Sequence, residues 1–446
     1  MEERATIFAP ATAPGRAGVA VLRLSGPRTF AALTALCGRA AFPPRAMVAV
    51  RVSDPKTGEA IDRGLAVCFP APASFTGEDV AELHVHGSAA VLSRLAEVLA
   101  AMPGVRWAEP GEFTRRGFGN GKMDLTEAEA LADLLAAETE AQRRQAVRQM
   151  DGALSRRFED LRARAVDVLA FIEAVIDFPE DELPADTRDR GVAMIAGLKA
   201  GLAELVDSAR VGCRVRQGVT VAVLGAPNVG KSSLVNRLAG WDVAIVSPTA
   251  GTTRDRVSVD LVLEGLPVTV TDTAGLREAA EEIEAEGIRR AERAVADADL
   301  RLAVFSAETW PATDDPTWRW VDSETLIVVN KADLGGIADG PHIGSPPVAV
   351  SALTGEGFDA LAEELRTRVR ALAGQQAGEA PPITRERHRA LAAAALEALE
   401  RAQAQPQQEL QAEDVRLAIR ELGRITGRID VEDVLDRIFG EFCIGK

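Results

Sequence analysis

The run Gly225-Ala-Pro-Asn-Val-Gly-Lys-Ser232 constrains this chain more than any other segment. It follows the apolar stretch Val219-Thr-Val-Ala-Val-Leu224 and leads into Ser233-Leu-Val-Asn-Arg-Leu238. That order predicts a strand, a glycine-rich loop and a helix in direct succession, the context a phosphate-binding loop requires. Glycines let the backbone wrap closely, and its N–H groups with the helix N-terminus hold phosphate oxygens. Lys231 would reach the β- and γ-phosphates, and the Ser232 hydroxyl suits Mg²⁺, a hard cation that takes oxygen ligands.

A parallel sheet should surround the loop. Leu302-Ala-Val-Phe305, Leu326-Ile-Val-Val329 and Val348-Ala-Val350 are short apolar runs with helical patterns between some of them, which is how strands buried on both faces read. Val257, Val259, Leu261 and Leu263 alternate, then Glu264-Gly-Leu-Pro267 turns into Val268-Thr-Val270, so a hairpin should make one edge antiparallel. This α/β block spans 216–375. Before it, 1–120 reads as mixed α/β, with strands over Val19–Leu24 and Val80–His86 and a helix over Ala89–Met102. The stretch 121–215 is helical, with Gly152 breaking Leu125–Phe178 in two and a further helix over Val192–Val211. An acidic loop, Phe178–Pro184, and a Gly/Pro linker, Gly374–Pro382, punctuate the chain, and 376–446 is helical again. The simplest arrangement is one helical domain interrupted by a nucleotide-binding domain; two separate helical pieces are the other.

Composition narrows the class. The 446 residues suit about two to four domains. The net charge of −16 argues against indiscriminate nucleic-acid binding, which runs on phosphate neutralisation. Four scattered cysteines (Cys37, Cys68, Cys213, Cys443) without a CxxC pair fit a reduced cytoplasm. Neither a signal peptide nor a membrane span is expected. His84 and His86 alternate on one strand face, but no third metal ligand is in view. Arg143, Arg144, Arg156, Arg157, Arg385, Arg387 and Arg389 are either solvated helix faces or a basic surface for RNA.

Three further motifs follow the loop in order. Asp272-Thr-Ala-Gly275 ends a strand; Asp272 would hold Mg²⁺ through its water shell, and the Gly275 N–H would contact the γ-phosphate. Thr252 or Thr253 offers a second metal-ligating hydroxyl. Asn330-Lys-Ala-Asp333 sets base choice: the Asp333 carboxylate can accept from N1–H and the 2-amino group of guanine, whereas adenine would leave it unpaired. Asn330 would contact the opposite edge of the base, and the Lys331 stem would lie along the ring. Backbone of Ser351-Ala-Leu353 can donate to O6. The motifs together predict GTP as substrate. Leu276 stands where Ras-like enzymes carry the glutamine that orients water, and no arginine is placed to act in cis. Asn228 with the Ser247–Thr252 loop could instead coordinate a monovalent cation. Glu278, Glu281, Glu282, Glu284 and Glu286 are candidates for positioning water, or else a solvated helix face.

Over nearly its whole length the chain resembles the MnmE (TrmE) family of tRNA-modification GTPases. The resemblance rests on Thr6-Ile7, Ala11-Thr12, Pro14-Gly-Arg16, Phe75-Thr-Gly-Glu-Asp79, Pro110-Gly-Glu-Phe113, Gly251-Thr-Thr-Arg-Asp255, Asp272-Thr-Ala-Gly-Leu-Arg277 and the terminal Phe442-Cys-Ile-Gly-Lys446. It implies a multidomain α/β architecture: an N-terminal α+β folate-binding domain that forms a homodimer, a discontinuous α-helical domain, and an inserted Ras-like P-loop G domain. It implies work in the cytoplasm, away from membranes, with the flavoprotein MnmG in a heterotetramer. Together they add a (carboxymethyl)aminomethyl group to C5 of the wobble uridine of tRNA, using the carbon of 5,10-methylene-tetrahydrofolate, with 5-formyl-tetrahydrofolate as a bound analogue. GTP hydrolysis would be stimulated by K⁺ and by pairing of the G domains.

Carried over by motif position, the nucleotide would contact Asn228, Val229, Gly230, Lys231, Ser232 and Ser233 of the first loop and Ser247, Pro248, Thr249, Ala250, Gly251, Thr252 and Thr253 of the second. It would also contact Asp272, Thr273, Ala274 and Gly275, then Asn330, Lys331 and Asp333, and Ser351, Ala352 and Leu353. Asn228, Ser247, Thr249 and Thr252 would surround K⁺, and Thr253 would join Ser232 on Mg²⁺. Glu284 matches the water-positioning glutamate. Arg23, Glu82, Lys122 and Lys446 match folate-contacting positions. Two departures are Ser247, where many relatives carry threonine, and Phe75, where tyrosine is common. Cys443 is either a reactive thiol or a tucked structural one. The competing function is a regulatory, ribosome-assembly type GTPase switch, against which the terminal motif and the N-terminal folate-type segment speak.

Overall fold

The computed structural model describes residues 5–177, 187–240, 258–272, 293–312, 315–335, 337–341, 343–373, 383–429, 432–440, 442 and 445. It opens on β1 (Thr6–Pro10), β2 (Ala17–Ser25), α1 (Thr29–Cys37), β3 (Val48–Ser53), β4 (Ala60–Phe69), β5 (Val80–Gly87), α2 (Ala89–Ala100), β6 (Val105–Trp107) and α3 (Glu112–Gly119). The strands form a sheet of order β3-β4-β5-β2-β1-β6, antiparallel except where β1 meets β6. Alternation in β2 and β5 puts Leu22, Leu24, Leu83 and Val85 on the face where Leu33, Leu36, Leu95 and Leu99 of α1 and α2 close the core.

Helices follow: α4 (Leu125–Ala136), α5 (Glu140–Met150), α6 (Ala153–Asp177) and α7 (Thr187–Gln217). The expected break at Gly152 lies between α5 and α6, with φ of 75°. A second break, before α5, was not expected. Its signal is Thr139-Glu-Ala-Gln142: Thr139 Oγ1 accepts from the Gln142 N–H at 3.3 Å, and Gln142 Oε1 accepts from the Thr139 N–H at 3.0 Å. This reciprocal capping box starts a new helix where helix-forming composition alone reads as continuous.

The second sheet comprises β7 (Val219–Leu224), β8 (Ser258–Leu263), β9 (Leu266–Asp272), β10 (Leu300–Ser306), β11 (Thr325–Asn330) and β12 (Val348–Ala349), with α8 (Lys231–Leu238) and α9 (Phe358–Ala373). Its order is β12-β11-β10-β7-β9-β8, parallel but for the β8 edge. Val221, Val223, Leu234, Val268, Val270, Leu302, Val304, Val328, Leu361 and Leu365 build its core. The turn into β9 is Glu264-Gly265 alone, not the four residues expected. Positive φ at both positions, 54° and 78°, makes a two-residue turn whose twist matches the strands, so Pro267 lies within β9.

The tail forms α10 (Glu386–Ala404), α11 (Gln408–Thr426) and α12 (Glu432–Gly440). Helix α11 packs along α6, where Glu159 accepts from the Thr426 hydroxyl at 3.0 Å and pairs with Arg428 at 2.8 Å. The helical domain is therefore discontinuous in sequence. Two compact units emerge: Met1–Leu135, Gln149–Ile195 and Ala398–Lys446 form one, Ala136–Arg148 and Ala196–Glu397 the other. In the second, Gln142 donates to the Arg216 carbonyl at 3.0 Å, so α5 is anchored beside the end of α7. No helix among the described residues is long and apolar enough to cross a membrane.

Candidate nucleotide site

Strand β7 lies centrally, with β9 on one side and β10 on the other. The chain switches direction across the sheet there, and the crevice at the carboxyl end of such a strand is where open α/β sheets take ligands. Gly225 to Gly230 fill that position. Positive φ at Gly225 (154°), Asn228 (65°) and Gly230 (93°) curls the loop. A Cβ on Gly225 would strike the Val304 carbonyl, and one on Gly230 would strike the Asn330 amide. Asparagine is among the few side chains that tolerate the left-handed region, which accounts for Asn228.

Lys231 opens α8, is 6% exposed, and donates from Nζ to the Ala226 carbonyl at 2.8 Å. Its neighbour Ser232 donates from Oγ to Asp272 Oδ2 at 2.5 Å. The parallel register sets Asp272 opposite Val223, so the last residue of β9 arrives beside the loop. Two hard oxygen ligands thus sit together at the N-terminus of α8.

At the end of β11, Asn330 is 2% exposed. Its Nδ2 donates to the Val229 carbonyl at 2.9 Å, and its Oδ1 accepts from the Ala352 N–H at 3.0 Å. The side chain is a strut between two loops, a role not read from the sequence. Lys331, in the left-handed region at φ 63°, sets Nζ 2.6 Å from Glu308 Oε2. The hydrogen bond from Lys331, with a second from Ser306, holds the Glu308 carboxyl below its usual range. Asp333 Oδ1 accepts from the buried Ser351 hydroxyl at 2.5 Å.

Arg237 was missed by sequence reasoning. From α8 it donates to the carbonyls of Ala352, Leu353 and Thr354, at 3.2, 3.1 and 3.0 Å. These partners lie 115 to 117 positions away, so nothing local marks it.

In the N-terminal sheet, Arg23 and Glu82 face each other in the β2–β5 register and pair at 2.9 Å. The Arg23 guanidinium lies 5.8 Å from the Phe75 ring centroid and 5.9 Å from that of Phe113, so Phe75 keeps an aromatic face for a cation without a phenol. Lys122 Nζ donates to the Pro72 carbonyl at 3.0 Å. His84 lies 3.4 Å from Glu82, and His86 pairs with Asp62 at 2.9 Å. Among the described residues no group of three metal ligands forms. Arg143 and Arg144 both pair with Glu140, whose carboxyl they pull down to about 2, and Arg389 pairs with Glu386. Burial pushes the thiols of Cys37 and Cys68 up to about 11. Ser247, Pro248, Thr249, Ala250, Gly251, Thr252, Thr253, Thr273, Ala274, Gly275, Leu276, the run Glu278–Glu286 with Glu284, Cys443 and Lys446 lie outside the described residues.

Comparison with known proteins accords with this geometry. A model of the MnmE helical domain matches residues 125–443, and a model of the GTP-binding protein TrmE N-terminus matches 6–122. A tRNA modification GTPase MnmE of Parvibaculum lavamentivorans is 53% identical over 446 residues, covering 99% of this chain and all of its own length. Proteins of the same name from Rhodospirillum rubrum and Paramagnetospirillum magneticum are each 52% identical, over 99% of this chain and 99% of theirs. The phosphate loop, the linked loops at Asn330 and Ser351 and this likeness along the full length lead to one conclusion: the chain belongs to the MnmE family of tRNA modification GTPases.

Proposed function

We propose that the chain hydrolyses GTP to drive modification of the wobble uridine of tRNA, with the flavoprotein MnmG as partner and a methylene-tetrahydrofolate carbon as donor. The observation that carries the reading is the meeting of Lys231, Ser232 and Asp272 with Asn330, Asp333 and Ser351 at the carboxyl end of one sheet. Asp333 selects guanine, with Asn330, Lys331 and the Ser351–Leu353 backbone around the base. Lys231 and the loop amides of Asn228 to Ser233 hold the phosphates, and Pro248, Ala250, Gly251, Thr273, Ala274 and Gly275 are further nucleotide-contacting positions.

Hydrolysis joins a water oxygen to the γ-phosphorus and breaks its bond to the bridging oxygen, leaving GDP and phosphate. The transition state is loose, so charge stabilisation and positioning supply the catalysis. Glu284, which stands at the position of the family's water-positioning glutamate, takes the place of the glutamine that the apolar Leu276 side chain replaces. Ser232 and Thr253 would hold Mg²⁺, with Asp272 acting through its water shell; the all-oxygen donor set suits this cation, which would neutralise phosphate charge. Asn228, Ser247, Thr249 and Thr252 would hold K⁺. Arg23, Glu82, Lys122 and Lys446 would bind the folate, whose anionic tail and planar ring suit the cations and aromatic faces there.

The proposed organisation is a folate-binding and dimerising domain over 1–120, helical segments over 121–215 and 376–446, and a G domain over 216–375. The protein would act in the cytoplasm as a homodimer, in a heterotetramer with MnmG. The test is steady-state hydrolysis of GTP and ATP in K⁺ or Na⁺, for the parent chain and Glu284→Ala. We expect GTP hydrolysis in K⁺ to exceed that in Na⁺ and that of ATP, and Glu284→Ala to lose at least ~100-fold in rate while still binding GTP, the scale of one catalytic positioning group. Equal rates with ATP would overturn the base reading, equal rates in Na⁺ the cation reading, and an unimpaired Glu284→Ala that residue's role. Unchanged wobble uridines in tRNA from cells lacking the protein would remove the modification reading.

A further inference from the structure

Three consecutive amides follow Ser351, and two of them are engaged by side chains among the described residues. The Ala352 N–H donates to Asn330 Oδ1 at 3.0 Å, and the Thr354 N–H to Ser351 Oγ at 3.1 Å. The N–H of Leu353, a residue 81% exposed, donates to none of the described residues. The carbonyls of the same three residues all accept from Arg237, at 3.2, 3.1 and 3.0 Å.

A guanidinium presents its N–H groups in a rigid planar fork, so one side chain fixes three peptide planes at once. Its own place is set from two sides. The guanidinium carbon lies 5.5 Å from the centroid of Phe358, the buried first residue of α9. Gly355, at φ 92°, leaves the space, because a Cβ there would strike the guanidinium. Holding the carbonyls on a cation keeps their lone pairs engaged and orders the loop before any ligand arrives, which removes that ordering cost from binding.

We propose that Arg237 is a specificity-positioning residue: it holds the 352–354 backbone so that the Leu353 N–H donates to the oxygen at position six of the purine. The inference rests on the guanine reading above and assigns part of that discrimination to a side chain that never touches the base.

The test measures binding of GDP, 6-thio-GDP and IDP to the full chain by competition against a fluorescent GDP analogue. The thio compound puts a larger and weaker acceptor at position six and keeps the 2-amino group; IDP lacks only the 2-amino group that Asp333 would accept from. In the parent chain both should bind more weakly than GDP. In Arg237→Ala, GDP should weaken about tenfold, the scale of one well-made hydrogen bond. The penalty for sulfur should shrink towards one, while the penalty for IDP persists. Gly355→Ala, which displaces the guanidinium and leaves Arg237 in the sequence, should produce the same selective loss. A merely structural arginine would weaken all three nucleotides by one factor; that result, in whichever variant folds, overturns the proposal. Absence of any sulfur penalty in the parent chain also overturns it. Failure of the parent chain to bind GDP would instead refute the guanine reading itself.

Discussion

At Asn330 one amide satisfies a carbonyl of the phosphate loop and an N–H of the 351–354 loop. Removing it leaves the buried Val229 carbonyl without its partner, at a cost of about 1–3 kcal/mol, and frees the half-buried Ala352 N–H. Asn330→Ala should therefore lose GDP affinity by at least ~10-fold, read by calorimetry, with the fold retained in circular dichroism. Asp333 is different in kind. Ser351 supports the carboxylate at one oxygen and so sets its orientation. An amide in its place can donate to a 2-oxo group, so Asp333→Asn should weaken GDP by at least ~100-fold and strengthen xanthosine diphosphate relative to it. Unchanged preference in competition binding would remove Asp333 from base selection.

Among the elements, α5 owes its separate existence to four residues. Thr139 and Gln142 cap each other, and Gln142 also reaches the Arg216 carbonyl. Thr139→Ala should cost about 1 kcal/mol in urea unfolding, the usual worth of an N-cap. The β8–β9 hairpin depends likewise on one glycine. Gly265 takes φ 78° as the second residue of a turn left-handed at both positions. A Cβ there finds its nearest contact, Ala141 Cβ, at 4.0 Å, so the penalty of Gly265→Ala is conformational, not steric. These features were legible in hindsight as T-x-x-Q and E-G. Ala- and Leu-rich composition around the first and a proline beside the second are stronger local signals and mask them.

Across the whole molecule, charge is folded inward at one place worth testing. Glu112 accepts from Arg106 at 2.7 and 2.8 Å, from Arg116 at 2.9 Å and from the Glu109 N–H at 3.0 Å. Arg116 continues to Glu78 at 3.0 Å and to the Ala5 carbonyl at 2.9 Å. Burial pushes the Glu112 carboxyl up, but Arg106, the Glu109 amide and Arg116 outweigh it and hold it below the ordinary carboxyl range. A carboxyl whose folded pKa is depressed contributes stability above its unfolded pKa and loses it as pH falls through the folded one. Thermal unfolding should thus show stability declining below about pH 4.5 in the parent chain. Glu112→Gln should be less stable at pH 7 and show a shallower acid decline. Identical pH dependence would mean that Glu112 contributes nothing to acid sensitivity.

Function class, the order of motifs and the interrupted helical domain all followed from sequence, because each is a local pattern. A glycine loop after an apolar run, a carboxylate at a strand end and a 3.6-residue period need no knowledge of neighbours. What required the tertiary structure was the direct hydrogen bonding between residues distant along the chain. Parallel register brought Asp272 to Ser232, a strut at Asn330 bridged two loops, and Arg237 found its carbonyls more than a hundred positions away. Hydrogen bonds of that kind are decided by strand order and packing, and single-residue chemistry carries no trace of them.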